Sequence, residues 1–428
     1  MQANVLSDTL ARLDALTNWE RRPREDMKVG LEPIQDLMQR LGNPHKTFRV
    51  VHVGGTKGKG SVSSLVESGL RRAGLKVGRY SSPHVEHVTE RISILQEPTS
   101  ESSLAYAISR TMDAVEAARL ENTAAADATW FDVFTASAFV RFRDAGLDWV
   151  VVEVGLGGRL DSTNVVHGEV AVTTNIELEH TEVLGTSREA IAIEKIGILK
   201  KNATLVTTLT AEDSAGRILQ DRADALGCCV LRTQQPSHAP IEQRNVEIAG
   251  LILDSLGDKG VLTTHVDFNE TPVGKWLLDR STRESARLPG RMERFRLNGS
   301  SVVLDGAHVP FNLQAVLHDL TGQAGLDGAC VAVVALGSDK DAVGFLNVLS
   351  QGVAKAVFTE LPAPGGSCSP VELKSFADQI LLSGEIVADS IQAFRRGVQL
   401  AEEMGGWVLV TGSLRLVGII RGLIAPKY

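Results

Sequence analysis

Val51-His52-Val53-Gly54-Gly55-Thr56-Lys57-Gly58-Lys59-Gly60-Ser61 is the stretch from which the fold is read. The apolar run from Phe48 to Val53 predicts a buried strand. It breaks into a loop holding four glycines, two lysines and two hydroxyls. From Ser61 to Gly74, apolar residues at Val62, Leu65, Val66, Leu70 and Ala73 have the spacing of an amphipathic helix. Strand, glycine loop and helix together suit a nucleotide's phosphates. Glycines let backbone N–H groups turn inward, the helix N-terminus favours anions, and a lysine meets the outer phosphates. Gly60 separates Lys59 from the hydroxyl of Ser61, so the loop departs from the commonest P-loop spacing. A glycine turn alone would also serve as a tight strand–helix connection; the two lysines favour phosphate binding.

The bulk properties set the frame. A chain of 428 residues exceeds what one core usually serves, so two domains are expected. With 43% hydrophobic and 22% charged residues it reads as an ordinary globular protein. A net charge of −8 argues against a nucleic-acid partner, which would need a basic face. Cys228, Cys229, Cys330 and Cys368 have no metal-ligand spacing, and the adjacent pair is expected to be buried as small apolar residues. No segment is long and apolar enough for a membrane span, and the N-terminus has no signal-peptide pattern. A cytoplasmic location with no membrane partner is the expectation.

Along the chain, helical patterns over 4–41 are interrupted by a charged stretch from Glu20 to Lys28. The segment from Lys28 to Ile34 opens a second helix, which stops near Gly42-Asn43-Pro44. Lys76–Tyr80 and Ile92–Leu95 have strand character, with Ser81-Ser82-Pro83-His84 after the first. Residues 101–120 and 129–145 are helical by period; the second opens on Thr129-Trp130-Phe131-Asp132, a polar and aromatic cluster suited to a ligand wall. Trp149–Val154 is the next buried strand. A carboxylate inside it, Glu153, is costly unless paired with a cation or a basic side chain. Ligand crevices of open α/β sheets lie outside the strand C-termini, and with the phosphate loop nearby a magnesium ligand is the favoured reading of Glu153.

Val170–Ile176 is followed by Glu177, Glu179 and His180, again at a strand end. Thr186 and Glu189 have capping-box spacing and start a helix carrying Glu194 and Lys195. Alone, His180 and Lys195 would read as loop and solvated helix residues; recurrence at successive strand ends gives them weight. Leu205–Leu209 predicts a strand, and 211–227 and 241–256 predict helices, the last carrying Asn245. The alternation implies a doubly wound, mostly parallel sheet. From about 257 to 290 the pattern turns irregular and polar, ending in Leu288-Pro289-Gly290-Arg291, which marks a domain boundary. Strands then recur at Ser301–Leu304, Val331–Leu336, Ala356–Thr359, Ile386–Ala388 and Trp407–Val410, predicting a second parallel sheet.

These residues together resemble the Mur ligase superfamily and, within it, the dihydrofolate synthase/folylpolyglutamate synthase family. The match runs from Gly30 to about Gly418. Its motifs stand in the family's order: GTKGKGS at 55–61, SSPH at 81–84, EVGLGGRLDSTN at 153–164, EHTEVLG at 179–185, EKIGILK at 194–200, PGR at 289–291, DGAH at 305–308 and VTGS at 410–413. The resemblance implies a P-loop, doubly wound, mostly parallel α/β sheet domain over 1–290. A smaller Rossmann-like α/β domain would follow over 291–428. ATP would phosphorylate a carboxylate, and the amine of L-glutamate would attack the acyl phosphate.

The resemblance assigns residues as follows. Gly58, Lys59, Gly60 and Ser61 would hold the β- and γ-phosphates, with Asn245, Arg291 and Asp305 as further nucleotide contacts. Ser82, Glu153 and His180 would bind Mg2+, of which two ions are expected. Lys195 would be carbamylated, its new carboxylate serving the second ion or the γ-phosphate. Lys59, Lys195 and His308 would be the catalytic set, His308 lying near the phosphate and the incoming amino acid. Closure of the two domains would complete the ATP site. Thr129, Trp130, Phe131, Asp132, Leu160, Asp161 and Ser162 would form the pterin site, although Trp130 and Phe131 also suit plain core packing. Substrates would be ATP, L-glutamate and dihydropteroate or a reduced folate, and a monomer is expected.

Three positions depart from the family's usual pattern: Glu179 where Asp commonly precedes the histidine, Val309 after DGAH, and Leu414-Arg415 after VTGS. Arg415 could favour an acidic chain. Two other readings stay open: a Mur-type ligase for another acceptor such as a cell-wall precursor, and a P-loop ATPase or kinase acting as a switch. The latter leaves Lys195, Arg291 and DGAH without a role.

Overall fold

A computed structural model of the protein describes residues 2–20, 30–236, 239–297, 299–362 and 366–425. Lys28 and Val29, read above as opening a helix, lie outside the described residues. The chain divides into two compact units. The first comprises Met1–His84, Val88–Pro236 and Glu242–Arg287; the second comprises Val85–His87, Ser237–Ile241 and Leu288–Tyr428.

The first unit is built on strands β1 (Arg49–Gly54), β2 (Val77–Tyr80), β3 (Ile92–Ile94), β4 (Glu97–Pro98), β5 (Trp149–Glu153), β6 (Gly168–Thr173), β7 (Thr204–Thr207) and β8 (Cys229–Arg232). Their order is β4-β3-β2-β5-β1-β6-β7-β8. The six strands from β2 to β8 in that order run parallel; β3 and β4 add an antiparallel edge. Both faces are covered, which is why β1 and β5 read as continuous apolar runs. Val50, Val150 and Val152 join Leu37, Phe134 and Phe139 on one face. Val51, Val53 and Val151 join Val62, Val66, Leu253 and Leu256 on the other.

The helix after the loop spans Lys59–Arg72, two residues earlier than its apolar pattern shows, because Lys59 and Gly60 form its first turn. The next helix to matter is Arg188–Ile196. Its cap is Ser187, whose side chain accepts from Ala190 N–H, so the capping spacing read from Thr186 is displaced by one residue. The expectation for the cysteine pair is also corrected. Cys229 is exposed and Cys228 half-buried, because they lead into β8, an edge strand with little covering it.

The second unit holds β9 (Glu293–Leu297), β10 (Ser300–Leu304), β11 (Cys330–Val334), β12 (Lys355–Phe358), β13 (Gly384–Ile386) and β14 (Trp407–Thr411), in the order β13-β12-β11-β14-β10-β9. Five run parallel, and β9 lies antiparallel to β10. β9 escapes sequence reading because Arg294 and Arg296 alternate with only partly buried Phe295 and Leu297. The short segment Val85–His87 belongs to this unit. Arg421 ion-pairs with Glu86 at 2.6 Å and with Glu293 at 2.9 Å, and the Val85 carbonyl passes so close to Gly418 that a Cβ there would lie 2.1 Å from it. No helix among the described residues is long and apolar enough to cross a membrane.

A buried ion pair anchors the Lys59–Arg72 helix to the sheet. Glu67 accepts from Arg79 Nε at 2.8 Å on β2 and from Ser93 Oγ at 2.6 Å on β3, with Gln96 N–H at 3.2 Å. Its side chain is 1% exposed and that of Arg79 10%. Removing one partner of such a pair leaves the other charge buried and unpaired. Glu67→Ala is therefore expected to destabilise the first unit by about 3–5 kcal/mol, read from its urea unfolding transition at pH 7, and Glu67→Gln by less.

Candidate active site

β2, β5, β1 and β6 are neighbours and parallel, so the loops after them open on one edge of the sheet. Tyr80 is level with Val152, Val53 with Glu153, and Gly54 with Thr173. The edge thus gathers Ser82, Glu153, the loop 54–61 and the segment leading to His180. Among its members Glu153 is 5% exposed, a buried carboxylate at a strand end. Its charge acts on Arg91, whose guanidinium is fully buried and bonded to Glu20 at 2.6 and 2.9 Å. A basic side chain therefore does stand within electrostatic reach of Glu153, as the alternative reading allowed.

The loop is held by its neighbours. Gly55 has φ 128°, and a Cβ there would fall 2.0 Å from Thr174 Oγ1; only glycine fits. The loop is stitched to the segment after β6 by Thr56 N–H to Asn175 O (2.9 Å), Lys57 N–H to Asn175 Oδ1 (2.8 Å), Thr174 Oγ1 to Lys57 O (2.6 Å) and Glu177 N–H to Thr56 Oγ1 (3.0 Å). Lys59 Nζ donates to the carbonyls of Gly55 and Thr56 at 3.2 and 3.3 Å. Gly58 has φ 85° and caps the helix that follows; Asn245 Oδ1 lies 2.9 Å from where its Cβ would stand. Asn245 is thereby brought to the loop from a helix, Ile241–Asp258, far along the chain.

Lys195 is brought to the same place. It is 6% exposed, and its Nζ donates to Gly55 O at 3.0 Å. Burial and the nearby charge of Lys59 push its pKa down to about 7. His180 adopts a left-handed conformation, φ 54° and ψ 42°, at the start of the short helix Thr181–Leu184. Its Nε2 is 3.9 Å from Glu179 and its Nδ1 3.8 Å from Glu182. Among the described residues, no group of three or more His, Cys, Asp and Glu could hold a metal. The expected ligands include only one carboxylate and one imidazole, with Ser82 and Lys195 beside them. That donor set fits magnesium, which commonly takes one or two carboxylates and fills its shell with phosphate oxygens and water.

The residues expected around a pterin form one connected cluster, with their polar groups turned largely toward each other. Asp132 Oδ2 accepts from Thr129 N–H (2.9 Å) and Oγ1 (2.7 Å), a capping box, and Oδ1 accepts from Ser162 Oγ at 2.6 Å. Trp130 is 3% exposed, stacked on Phe134 at 4.9 Å, under the Arg91 guanidinium at 5.0 Å, and donates Nε1–H to Asp14. It is a core residue. Phe131 and Leu160 are half-buried. Phe131 meets Gly155, whose Cβ would fall 2.5 Å from its ring and 3.1 Å from Asp161 Oδ2.

Asp161 is the hub of the loop after β5. It accepts from Leu156 N–H (2.8 Å), Thr163 N–H (3.0 Å) and Thr163 Oγ1. Burial nonetheless raises its pKa, outweighing those bonds. Since Thr163 Oγ1 donates to Asp161, it accepts from His52 Nε2 at 3.0 Å, placing the imidazole proton on Nε2. His52 is fully buried on β1, and burial lowers its pKa to about 3, so it stays neutral. Sequence reading gave His52 no role; its position within the opening apolar run was the available signal.

In the second unit, the end of β10 collects Arg291, Asp305 and His308. Asp305 Oδ2 accepts from Met292 N–H (2.9 Å) and Oδ1 from Ala307 N–H (2.8 Å), while Gly306 N–H donates to Gly290 O (3.1 Å). Arg291 Nη1 lies 3.2 Å from where a Cβ of Gly306 would stand, and His308 Nδ1 is 2.9 Å from Gly306 O. Val309 is the N-cap of the helix Pro310–Leu320 and, having no oxygen, makes no side-chain cap bond. Arg415 donates to Pro362 O, which ties its guanidinium to backbone.

Similarity to known proteins agrees with this layout. The Mur ligase middle domain family matches residues 53–267, and the Mur ligase glutamate ligase domain family matches residues 290–414. Fold and site together define a Mur-type ligase. The Escherichia coli dihydrofolate synthase/folylpolyglutamate synthase is 30% identical over 99% of both chains. A structure of the Mycobacterium tuberculosis folylpolyglutamate synthase complexed with ADP superposes over 100% of both chains with TM-score 0.85 at 24% identity, a likeness of fold. A structure of the bifunctional folylpolyglutamate synthase/dihydrofolate synthase of Yersinia pestis complexed with AMPPNP and Mn, and one of such a bifunctional enzyme with Mn, AMPPNP and L-glutamate bound, each cover 98% of both chains with TM-score 0.80 at 29% identity. The chain belongs to the dihydrofolate synthase/folylpolyglutamate synthase family of the Mur ligase superfamily, and it is an ATP-dependent ligase.

The buried Lys195 gives the site a stability signature. Its amine binds fewer protons folded than unfolded between about pH 7 and its ordinary value of 10.5, so stability rises with pH across that window. The cost of charging it is fully present below pH 7. Lys195→Met is expected to be more stable than the parent by roughly 2–4 kcal/mol at pH 6, the gap closing toward pH 10, as read from paired thermal unfolding curves.

Proposed function

We propose that this ligase joins the amine of L-glutamate to the carboxylate of dihydropteroate, to the terminal glutamate of a reduced folate, or to both. The observation that carries the reading is the meeting of loop 55–61 with Lys195 and Asn245, drawn from two distant helices onto one glycine loop. A simple ATPase switch has no use for a buried, partly neutral amine there. In the reaction an oxygen of the acceptor carboxylate attacks the γ-phosphorus of ATP, and ADP leaves. The glutamate amine then attacks the acyl carbon, phosphate departs, and the amine's surplus proton passes to a base or to water.

In this reading the backbone N–H groups of Gly58 to Ser61 and the amine of Lys59 hold the β- and γ-phosphates, and the Lys59–Arg72 helix adds its N-terminal field. Asn245, Arg291 and Asp305 contact the nucleotide. Ser82, Glu153 and His180 would hold magnesium, which when bound with ATP offsets the charge between phosphate and the approaching carboxylate. Solved relatives support this: one from Yersinia pestis is complexed with AMPPNP and Mn, and another has Mn, AMPPNP and L-glutamate bound. A Lys195 pKa near 7 leaves much of the amine neutral at neutral pH, the form that adds to carbon dioxide, and supports carbamylation. His308 is assigned to the neighbourhood of the incoming glutamate. For the pterin, half-buried Phe131 and the Gly155–Asp161 loop are better placed than Trp130, which is buried against Phe134 with its indole N–H given to Asp14.

ADP release tests this directly. It is expected only when glutamate accompanies dihydropteroate or tetrahydrofolate; equal release without glutamate and acceptor defeats the ligase reading. Which acceptor supports turnover decides between the two activities. Lys195→Ala is expected to lower kcat/KM by about a hundredfold or more, and to remove a carbamate signal seen by 13C NMR with labelled bicarbonate. A variant with parental turnover, or a parent lacking that signal, ends the carbamate role.

A further inference from the structure

Lys57 lies in the phosphate loop but is not part of the phosphate-holding set, and Glu179 precedes the expected metal ligand without being one. Lys57 Nζ and Glu179 Oε1 form an ion pair at 2.7 Å, with the side chains only 18% and 11% exposed. The same oxygen of Glu179 lies 3.9 Å from His180 Nε2. The stitches already described join the loop to the β6 exit as far as Glu177. The ion pair carries the connection two residues further, to the neighbour of His180. That matters because His180 is a non-glycine residue in the left-handed region, a conformation held only where the surroundings impose it.

We propose that Lys57 and Glu179 are positioning residues for the ligase reaction: their ion pair clamps the phosphate loop to the His180 turn and so fixes one relative to the other. The proposal rests on the reading that residues 58–61 hold phosphates and His180 the cation. It gives the glutamate at 179 a physical reason. Its side chain, one methylene longer than aspartate's, carries Oε1 to Lys57 Nζ on the neighbouring loop. A half-buried pair of this kind is screened less than a surface one, so its loss is felt. It also offsets one of three ammonium groups around the loop, because Lys57, Lys59 and Glu179 all act on the buried Lys195.

A double-mutant cycle on the full chain tests the clamp, using Lys57→Met, Glu179→Gln and the pair together. Each single variant is expected to raise the KM for ATP and the half-saturating magnesium concentration roughly tenfold, with kcat changed by less than about threefold, and the double variant to be no worse than the poorer single. Lys57→Arg, which keeps the pair, is expected to stay near the parent. Effects that multiply in the double variant, or a loss confined to kcat, overturn the proposal, as does Lys57→Arg behaving like Lys57→Met. Calorimetric ADP binding to Lys59→Ala separates the two levels. Unchanged affinity there shows that the phosphate-loop reading itself has failed; lost affinity beside a multiplicative cycle removes only the clamp.

Discussion

The carbonyl of Gly55 receives two lysine amines, Lys195 at 3.0 Å and Lys59 at 3.2 Å, and the candidate site is arranged around that fact. A backbone carbonyl can serve two ammonium donors only if the chain turns sharply away from the strand to expose it. Gly55 makes that turn in a conformation closed to any side chain by Thr174. The sheet supplies the rest. With β1 between β5 and β6, the same turn stands beside Glu153 on one side and the approach to His180 on the other. The cost of burying an amine falls on Lys195, and its lowered pKa is the direct result. Chemistry and instability thus have one source.

Much of this was legible because parallel strands buried on both faces write themselves as apolar runs, and their C-terminal loops hold the polar residues. The runs at 48–53, 149–154, 170–176, 331–336 and 407–410 all correspond to strands. Edges were less legible. β8 has one exposed and three partly buried residues and β9 alternates arginine with partly buried residues, so neither has a burial pattern strong enough to read. β13 lies two residues before its expected start, at another edge.

The candidate site divides along a similar line. Residues on the loop and strand ends could be placed at one edge of the sheet from the sequence, because the order of parallel strands dictates their company. Bond partners were not legible, since they depend on rotamers chosen by packing. Asp132 reads as a ligand group, yet it spends both oxygens on Thr129 and Ser162. His52 reads as a strand residue, yet it closes a buried chain through Thr163 to Asp161. Trp130 reads either way, and its stacking on Phe134 was not visible in the sequence.

The membership of Val85–His87 in the second unit has a bearing on modularity. Glu86 and Val85 are encoded about two hundred residues before the main part of that unit, yet Arg421 and Gly418 pack on them. A gene fragment beginning at Leu288 encodes the whole second sheet but not this tripeptide, and it leaves Arg421 with Glu293 alone of its two carboxylates. Recombination between relatives at that boundary would therefore exchange a body without its own inlay. A chimera inherits residues 85–87 from one parent and their seat from the other, so the two must be matched as a set.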